Sequence, residues 1–317
     1  MSLSDQHVGI LPRNHWGAVM RCFALLVGIV LIGTTAPIHA DDANGGPSIG
    51  LALGSGGAAG LSHIRMIEVF EELEVQPDAI AGTSIGAIIG ALHAAGMDSA
   101  GMRELFEEFG ESALNPFAND NGMDIGPTDL LDIDFETGSV LDPSGFFELV
   151  GEHIKARSFE DLDIPLKVVA TSYWDGETVV LDEGDLFKAL EASMAVPGLV
   201  APVDIGERLL IDGGTSNPLP WDQVDEHDIV VAIDVTGTRN RESDGEPDLA
   251  DLLFNTFEIM QQSLIAQMRR ASPPDIYIKP ELSGIRLLHF DRVDEILEQA
   301  EEGADELREK LKEALEG

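Results

Sequence analysis

Positive charge is what this 317-residue chain has least of: 19 lysines and arginines stand against 58 aspartates and glutamates, a formal net charge of -39. Lysine occurs only at Lys155, Lys167, Lys188, Lys279, Lys310 and Lys312. Binding to a phosphate backbone draws on many basic side chains, so no nucleic-acid partner is expected. A surface of this sign also repels bare anionic bilayers at low salt. Cysteine is nearly missing: Cys22 is the only one, at the start of an N-terminal apolar run. That excludes a disulfide framework in the body of the chain and a lipoprotein-type cysteine after the run. Clustered H-x-x-H and D-x-D-x-D-G spacings are lacking too, so no metal and no cofactor is expected. Aromatics make up 6% while glycine is plentiful at 33 residues. That balance suits an α/β protein in which helices pack closely on strands.

The first forty residues read as a targeting segment. Arg13 and Arg21 precede the apolar run Phe23–Gly33, and Thr34-Thr35-Ala36-Pro37-Ile38-His39-Ala40 leads to Asp41-Asp42. Basic residues, an apolar run of this length and a following cleavage point after Ala40 are the marks of a signal peptide. Export to the periplasm or the medium is therefore the expectation. The stretch between Arg21 and Asp41 carries no Asp, Glu, Lys or Arg and is about as long as a spanning helix, so an uncleaved inner-membrane anchor is the alternative.

Beyond a short Gly/Pro linker, Ile49–Leu53 has a buried-strand pattern, followed by a glycine-rich turn and a helix over Leu61–Leu73. Pro77–Ala81 is a second strand, running through Gly82-Thr83-Ser84-Ile85-Gly86 into a small-residue helix, Ala87–Ala95. Strand, turn and helix recur twice in fewer than fifty residues, which points to a parallel sheet with crossover helices. Met97–Asp163 reads as irregular except for an amphipathic helix at Phe146–Ile154. Strands are expected at Pro165–Thr171, Glu177–Leu181, Arg208–Ile211, Asp228–Val235 and Asp275–Lys279. Helices are expected at Leu186–Ala195, at Leu249–Arg270 and from Val293 onward. The last of these has too little basic character for membrane-surface binding.

Three motifs carry chemistry. Gly82-Thr83-Ser84-Ile85-Gly86 is a G-x-S-x-G between strand and helix, where glycines allow a sharp turn that presents a serine at a helix N-terminus. A glycine-tight turn with a capping serine explains it equally well in isolation. Gly54-Ser55-Gly56-Gly57-Ala58-Ala59-Gly60 turns several backbone N–H groups to one side, as an oxyanion hole requires. Its rival is a dinucleotide or phosphate loop. The G-x-G-x-x-G spacing fails at Ala59, however, and no Walker lysine follows. Ile211-Asp212-Gly213-Gly214 ends a short strand; alone, it reads as a turn. His63 and His93 lie near the motifs and read as structural, while His153, His227 and His289 have no supporting pattern.

In this order the three motifs resemble the patatin-like phospholipase family, in its bacterial branch. The likeness extends to Gly60–Ile64, Pro165–Thr171, Ala192–Gly198 and Asp212–Pro220, and covers about Ile49 to Val235. It implies a three-layer αβα fold with a mostly parallel central sheet and a helical C-terminal extension. The implied division is a catalytic domain at 48–236 after the linker at 41–47, a second linker at 237–248, and a mainly helical part at 249–317 packing on the catalytic domain. It further implies a Ser84–Asp212 dyad without histidine. Gly54, Ser55, Gly56, Gly57 and Ala58 would form the oxyanion loop, Gly82 and Gly86 would shape the nucleophile elbow, and Gly213 and Gly214 the base loop. The implied substrate is a lipid or other acyl ester, cleaved in the manner of a phospholipase A, lysophospholipase or esterase, with room for peripheral contact with a membrane. A catalytically weak lipid-binding or interaction protein that keeps the fold is the alternative. Two positions depart from the family pattern: Ala59 stands where arginine or lysine is usual, and Ser55 where glycine is usual. Arg65 replaces the missing cation only if its side chain reaches back. Phe117, Phe146, Phe147 and Leu149 line an acyl channel or belong to the core.

The charge excess generates a first prediction. Self-repulsion among exposed carboxylates weakens as the Debye length falls from about 10 Å at 0.1 M salt to about 3 Å at 1 M. If the acidity is an adaptation to a saline milieu, the melting temperature rises between dilute buffer and molar salt; an unchanged melting temperature speaks against that origin.

Overall fold

The structure is a computed structural model that describes residues 46–111, 142–237 and 249–317. The targeting segment, most of both linkers and Phe117 lie outside the described residues.

Eight strands form one sheet among the described residues: β1 (Ile49–Leu53), β2 (Ala79–Thr83), β3 (Leu166–Ser172), β4 (Thr178–Leu181), β5 (Val203–Ile205), β6 (Arg208–Asp212), β7 (Ile229–Ile233) and β8 (Ile276–Ile278). Hydrogen-bonded neighbours run β5-β6-β3-β2-β1-β7-β8, with β4 also paired to β3. The run β3-β2-β1-β7-β8 is parallel, whereas β4 and β6 are antiparallel to β3, and β5 to β6. The α-helices are α1 (Ser62–Glu72), α2 (Ile85–Ala94), α3 (Ser99–Glu111), α4 (Ser144–His153), α5 (Leu186–Ser193), α6 (Leu249–Ala271), α7 (Val293–Gln299) and α8 (Glu301–Glu316).

Alternation along the parallel strands sorts side chains by size. Ile49, Leu51, Leu53, Ile80, Ile229, Val231 and Ile233 enter the larger core with residues from α1–α5, α7 and α8. The opposite face presents Ala52, Ala79, Ala81, Val230 and Ala232, and packs against Leu219, Trp221, Val224 and Ile265 of α6. Successive side chains of a strand point to opposite faces, so this pattern gives the sheet one bulky face and one shallow face. Helices cover both, which makes the three layers. The chain beyond residue 248 also contributes β8, whose Ile276 and Ile278 join the larger core.

Two elements differ from the sequence reading. Ser99–Glu111, expected to be irregular, is helical: Met102, Leu105, Phe106 and Phe109 follow an i, i+3, i+4, i+7 spacing and are all buried. Each such side chain contributes about 1.5–3 kcal/mol on burial, which outweighs the roughly 1 kcal/mol that each of Gly101 and Gly110 costs in a helix. The short strand β5 was also not expected; it is an edge strand held by pairing with β6. Phe146, Phe147 and Leu149 are buried in the larger core, where Phe146 stacks edge-on against Phe109 at a centroid distance of 4.9 Å.

The register around β3 sets up the rest of the molecule. β2 pairs with residues 166–169 of β3, β4 with 168–171 and β6 with 170–172. A strand has two edges only, so β4, which overlaps both other partners, occupies one of them. β2 and β6 therefore share the other edge, end to end. Thr83 is opposite Val169 and Asp212 opposite Ala170. Gly213 fits the junction because it lacks a side chain: a Cβ there would lie 2.1 Å from the Val169 carbonyl oxygen and 3.0 Å from Cγ2 of Thr83. Backbone cannot yield as a flexible side chain does, so Gly213→Ala is expected to cost about 1–3 kcal/mol. Urea denaturation reads this directly, and an unshifted midpoint contradicts the end-to-end junction.

Candidate active site

The strand junction brings the two principal sequence candidates together. Ser84 follows the last residue of β2 and caps α2; Asp212 is the last residue of β6. Ser84 has φ 57 and ψ -124, a left-handed conformation that L side chains rarely adopt. Ser193 of α5 holds it there: the Ser84 amide donates to Ser193 Oγ at 2.8 Å, and that hydroxyl donates to the Val169 carbonyl at 2.6 Å. Tight packing behind the turn is what the flanking glycines permit. A Cβ on Gly86 would sit 2.2 Å from the Leu53 carbonyl oxygen, and one on Gly82 would sit 2.5 Å from Cα of Ala87. The elbow therefore rests against the start of the glycine-rich loop.

Asp212 is 1% exposed. Its Oδ1 accepts the Gly214 amide at 2.7 Å, and its own amide donates to the Ala195 carbonyl at 2.9 Å. Its Oδ2 has no hydrogen bond of good geometry among the described residues. The Ser84 hydroxyl is nonetheless close enough to favour the carboxylate, so the contact is looser than a formed hydrogen bond. Burial dominates and pushes the carboxyl up to about 6, against the smaller opposing pulls of the Ser84 hydroxyl and the Gly214 amide. No neighbouring charge contributes to the shift, despite the acidity of the chain.

The glycine-rich loop is narrower in capacity than expected. Three of its amides are engaged by carbonyls: Gly54 with Ile233 at 3.1 Å, Ser55 with Pro218 at 2.9 Å and Ala58 with Leu287 at 2.7 Å. Gly54, Ser55 and Ala58 thus hold the loop in place, and the amides of Gly56 and Gly57 have no such acceptor among the described residues. Gly57 lies at φ 56, where glycine is favoured. His63 is buried beneath the loop with its Nε2 at 2.9 Å from the Gly54 carbonyl oxygen, to which it donates. Burial lowers its pKa to about 4, so the ring is neutral and structural. His93, in the last turn of α2, lies about 13 Å along the helix from Ser84 at about 1.5 Å per residue.

Arg65 does not stand in for the cation missing at Ala59. It pairs with Glu301 of α8 at 2.8 Å and with Glu68. Among the described residues no group of three or more His, Cys, Asp or Glu has the arrangement to hold a metal. Sequence reasoning gave Ser193 no role, although its motif was noticed. It gave Gln261 none either; that residue is 4% exposed on α6 and close to Gly214. The available signal was a polar residue one turn before buried Ile265 on the same face of α6.

A family model described as patatin-like phospholipase matches residues 51–225, more than half of the chain. An uncharacterized NTE family protein of Mycobacterium tuberculosis is 32% identical over 206 residues, covering 64% of this chain and 53% of that protein. The patatin-like phospholipase domain-containing protein 7 of Mus musculus is 28% identical over 285 residues, covering 80% of this chain and 20% of that one. The chain thus spans about half the length of the mycobacterial relative. Among solved structures, VipD from Legionella pneumophila aligns with a TM-score of 0.42 at 14% identity, covering 82% of this chain and 67% of that one.

The raised carboxyl has a consequence for stability. Asp212 ionises more readily unfolded, near 3.8, than folded, near 6. Its contribution is therefore fully present below pH 3.8 and is lost as pH rises through about 6, a loss of about 3 kcal/mol by alkaline pH. Asp212→Asn cannot ionise and keeps the acceptor for Gly214. It should be more stable than the parent by that order near pH 8, with the difference gone near pH 4. Urea titrations at the two pH values check this; equal stability near pH 8 contradicts a desolvated carboxyl.

Proposed function

This chain belongs to the patatin-like phospholipase family, and from that premise we propose that it is a serine hydrolase that cleaves acyl esters of lipids through a Ser84–Asp212 dyad. The observation that carries the reading is the placement of Asp212 at the end of β6, buried and with Oδ2 unpartnered, beside a serine held in a strained elbow. Ser84 Oγ attacks the acyl carbonyl carbon while its proton passes to Asp212 Oδ2. The carbonyl oxygen becomes an oxyanion that the Gly56 and Gly57 amides meet. Collapse of this intermediate breaks the ester bond, and the departing alkoxide takes the proton back from Asp212. Water then attacks the acyl-enzyme and gives a proton to Asp212; collapse releases the fatty acid, and the departing Ser84 Oγ takes that proton back, restoring the hydroxyl and the carboxylate.

A carboxylate near its reference pKa of about 3.9 is a weak base. Raising it towards 6 strengthens it by two orders of magnitude on the equilibrium scale while leaving it ionised at neutral pH, which suits general-base catalysis. The relatives' names point to phospholipid-type esters, and a lipid acyl ester of that class is the substrate we assign.

The parent should react with a fluorophosphonate at Ser84 and hydrolyse short p-nitrophenyl esters. Ser84→Ala should abolish both, and Asp212→Asn should reduce turnover by about 10³-fold or more. Because the base must be ionised, kcat/KM should fall as pH drops through about 6. A folded parent with no labelling and no hydrolysis of any acyl ester points instead to a lipid-binding protein that keeps the fold.

A further inference from the structure

The catalytic aspartate has company that the mechanism above does not use. A Cβ placed on Gly214 would lie 2.1 Å from Nε2 of Gln261, 2.8 Å from Oδ1 of Asp212 and 2.9 Å from Oγ of Ser55. Three polar atoms from three separate elements therefore surround one point: α6, the end of β6, and the glycine-rich loop. Ser55 is 2% exposed and its hydroxyl has no partner among the described residues. Gln261 is 4% exposed and makes no side-chain hydrogen bond among them. Buried polar groups in native proteins are nearly always bonded, so the unpartnered Ser55 hydroxyl beside a carboxylate calls for an explanation, and the Gln261 amide is the donor placed next to it.

We propose that Gln261 and Ser55 are positioning residues for the general base: their N–H and O–H groups bracket the Oδ1 side of Asp212 and leave Oδ2 as the oxygen facing Ser84. This rests on the reading of Asp212 as the base. An ionised carboxylate has about four acceptor sites, and Oδ1 spends only one on the Gly214 amide. A small turn of either side chain fills the remainder. Such donors also favour the charged form and so oppose burial, setting the pH at which the base becomes available. The groups that face Asp212 are uncharged throughout: Ser84 after β2, the Gly214 amide of its own loop, Ser55 and Gln261. A bracket of neutral donors therefore controls it. Ser55, where the family usually has glycine, gains a role in the same arrangement, because a turn of its hydroxyl towards Asp212 would tie the glycine-rich loop to the base loop. Gln261 lies well beyond the matched residues 51–225, so α6 completes a site that the family match alone does not contain.

The test compares pH profiles of p-nitrophenyl ester hydrolysis, with melting curves for each protein. Gln261→Leu removes the donor at similar size and should lower kcat about ten-fold with little change in KM, while moving the acid limb of the profile upward by about one pH unit. Gln261→Glu substitutes a second carboxylate and should move the limb further in the same direction. Ser55→Ala should move it in that direction by less. Should Gln261→Leu fail to fold, Gln261→Met and Ser55→Ala read the same limb. An active parent whose variants keep the parental limb overturns the bracket and leaves the Ser–Asp reading standing. A raised KM with unchanged kcat also overturns it, since that marks a substrate contact. A parent with no activity removes the base reading, and the bracket falls with it.

Discussion

Two strands meeting end to end on one edge of β3 are the constraint from which the candidate site follows. Hydrogen bonds along β3 fix where β2 stops and where β6 stops, so the serine after one and the aspartate ending the other meet through backbone geometry. Side chains then refine what the ladder has placed. Val169, the β3 residue opposite Thr83, receives the Ser193 hydroxyl that in turn holds the Ser84 amide. A single carbonyl thus serves both the junction and the strained elbow. Backbone strain of this kind costs on the order of 1–3 kcal/mol and persists only where the surroundings over-determine it. Here the sheet edge, α5 and the close approach of Gly86 to Leu53 do so.

Electrostatics at the site run on a different principle from those of the surface. The chain carries -39 formal charges, yet burial raises the Asp212 carboxyl and no neighbouring carboxylate adds to it. Exposed charges are screened within about a Debye length, whereas the desolvation of a buried group is not relieved by salt. A change in salt therefore acts on the acidic surface and leaves the raised Asp212 carboxyl largely unaffected. Arg65 belongs to the surface system: with two acidic partners on α1 and one on α8, it joins the helices on the bulky side of the sheet. The glycine-rich loop holds its shape without a cation at position 59, through the carbonyls of Pro218, Ile233 and Leu287.

Much of this was legible in the amino-acid order because local physics decides it. Short apolar runs punctuated by glycine mark β1, β2 and the turns after them, and G-x-S-x-G needs no distant partner to be read. Asp212 was harder. In isolation it is a turn residue, and only its order after the two glycine motifs singles it out. Which amides of the glycine-rich loop stay without a carbonyl partner was not legible, because the carbonyls that occupy the others come from residues 218, 233 and 287. Helix α3 was missed although its apolar spacing is regular, since Gly101 and Gly110 break the pattern near its ends. Antiparallel pairing of β6 on β3 cannot be inferred from a pattern that favours parallel crossovers, and the juxtaposition of Ser84 and Asp212 depends on it.

The size sorting of the sheet explains why the last third of the chain belongs with the site. Alanines at 52, 79, 81 and 232 keep one face shallow, and α6 packs there through Ile265. A helix drawn that close brings its other inward residues to the same depth. Gln261, one turn before Ile265, arrives against Gly214, where its amide nitrogen would overlap any side chain larger than hydrogen. The small residues on the strands, the missing side chain at 214 and the buried polar residue at 261 are thus one geometric arrangement. Widening the shallow face would lift α6 from the sheet and draw Gln261 from the carboxylate. Packing far from Ser84 therefore has a direct route to the surroundings of Asp212.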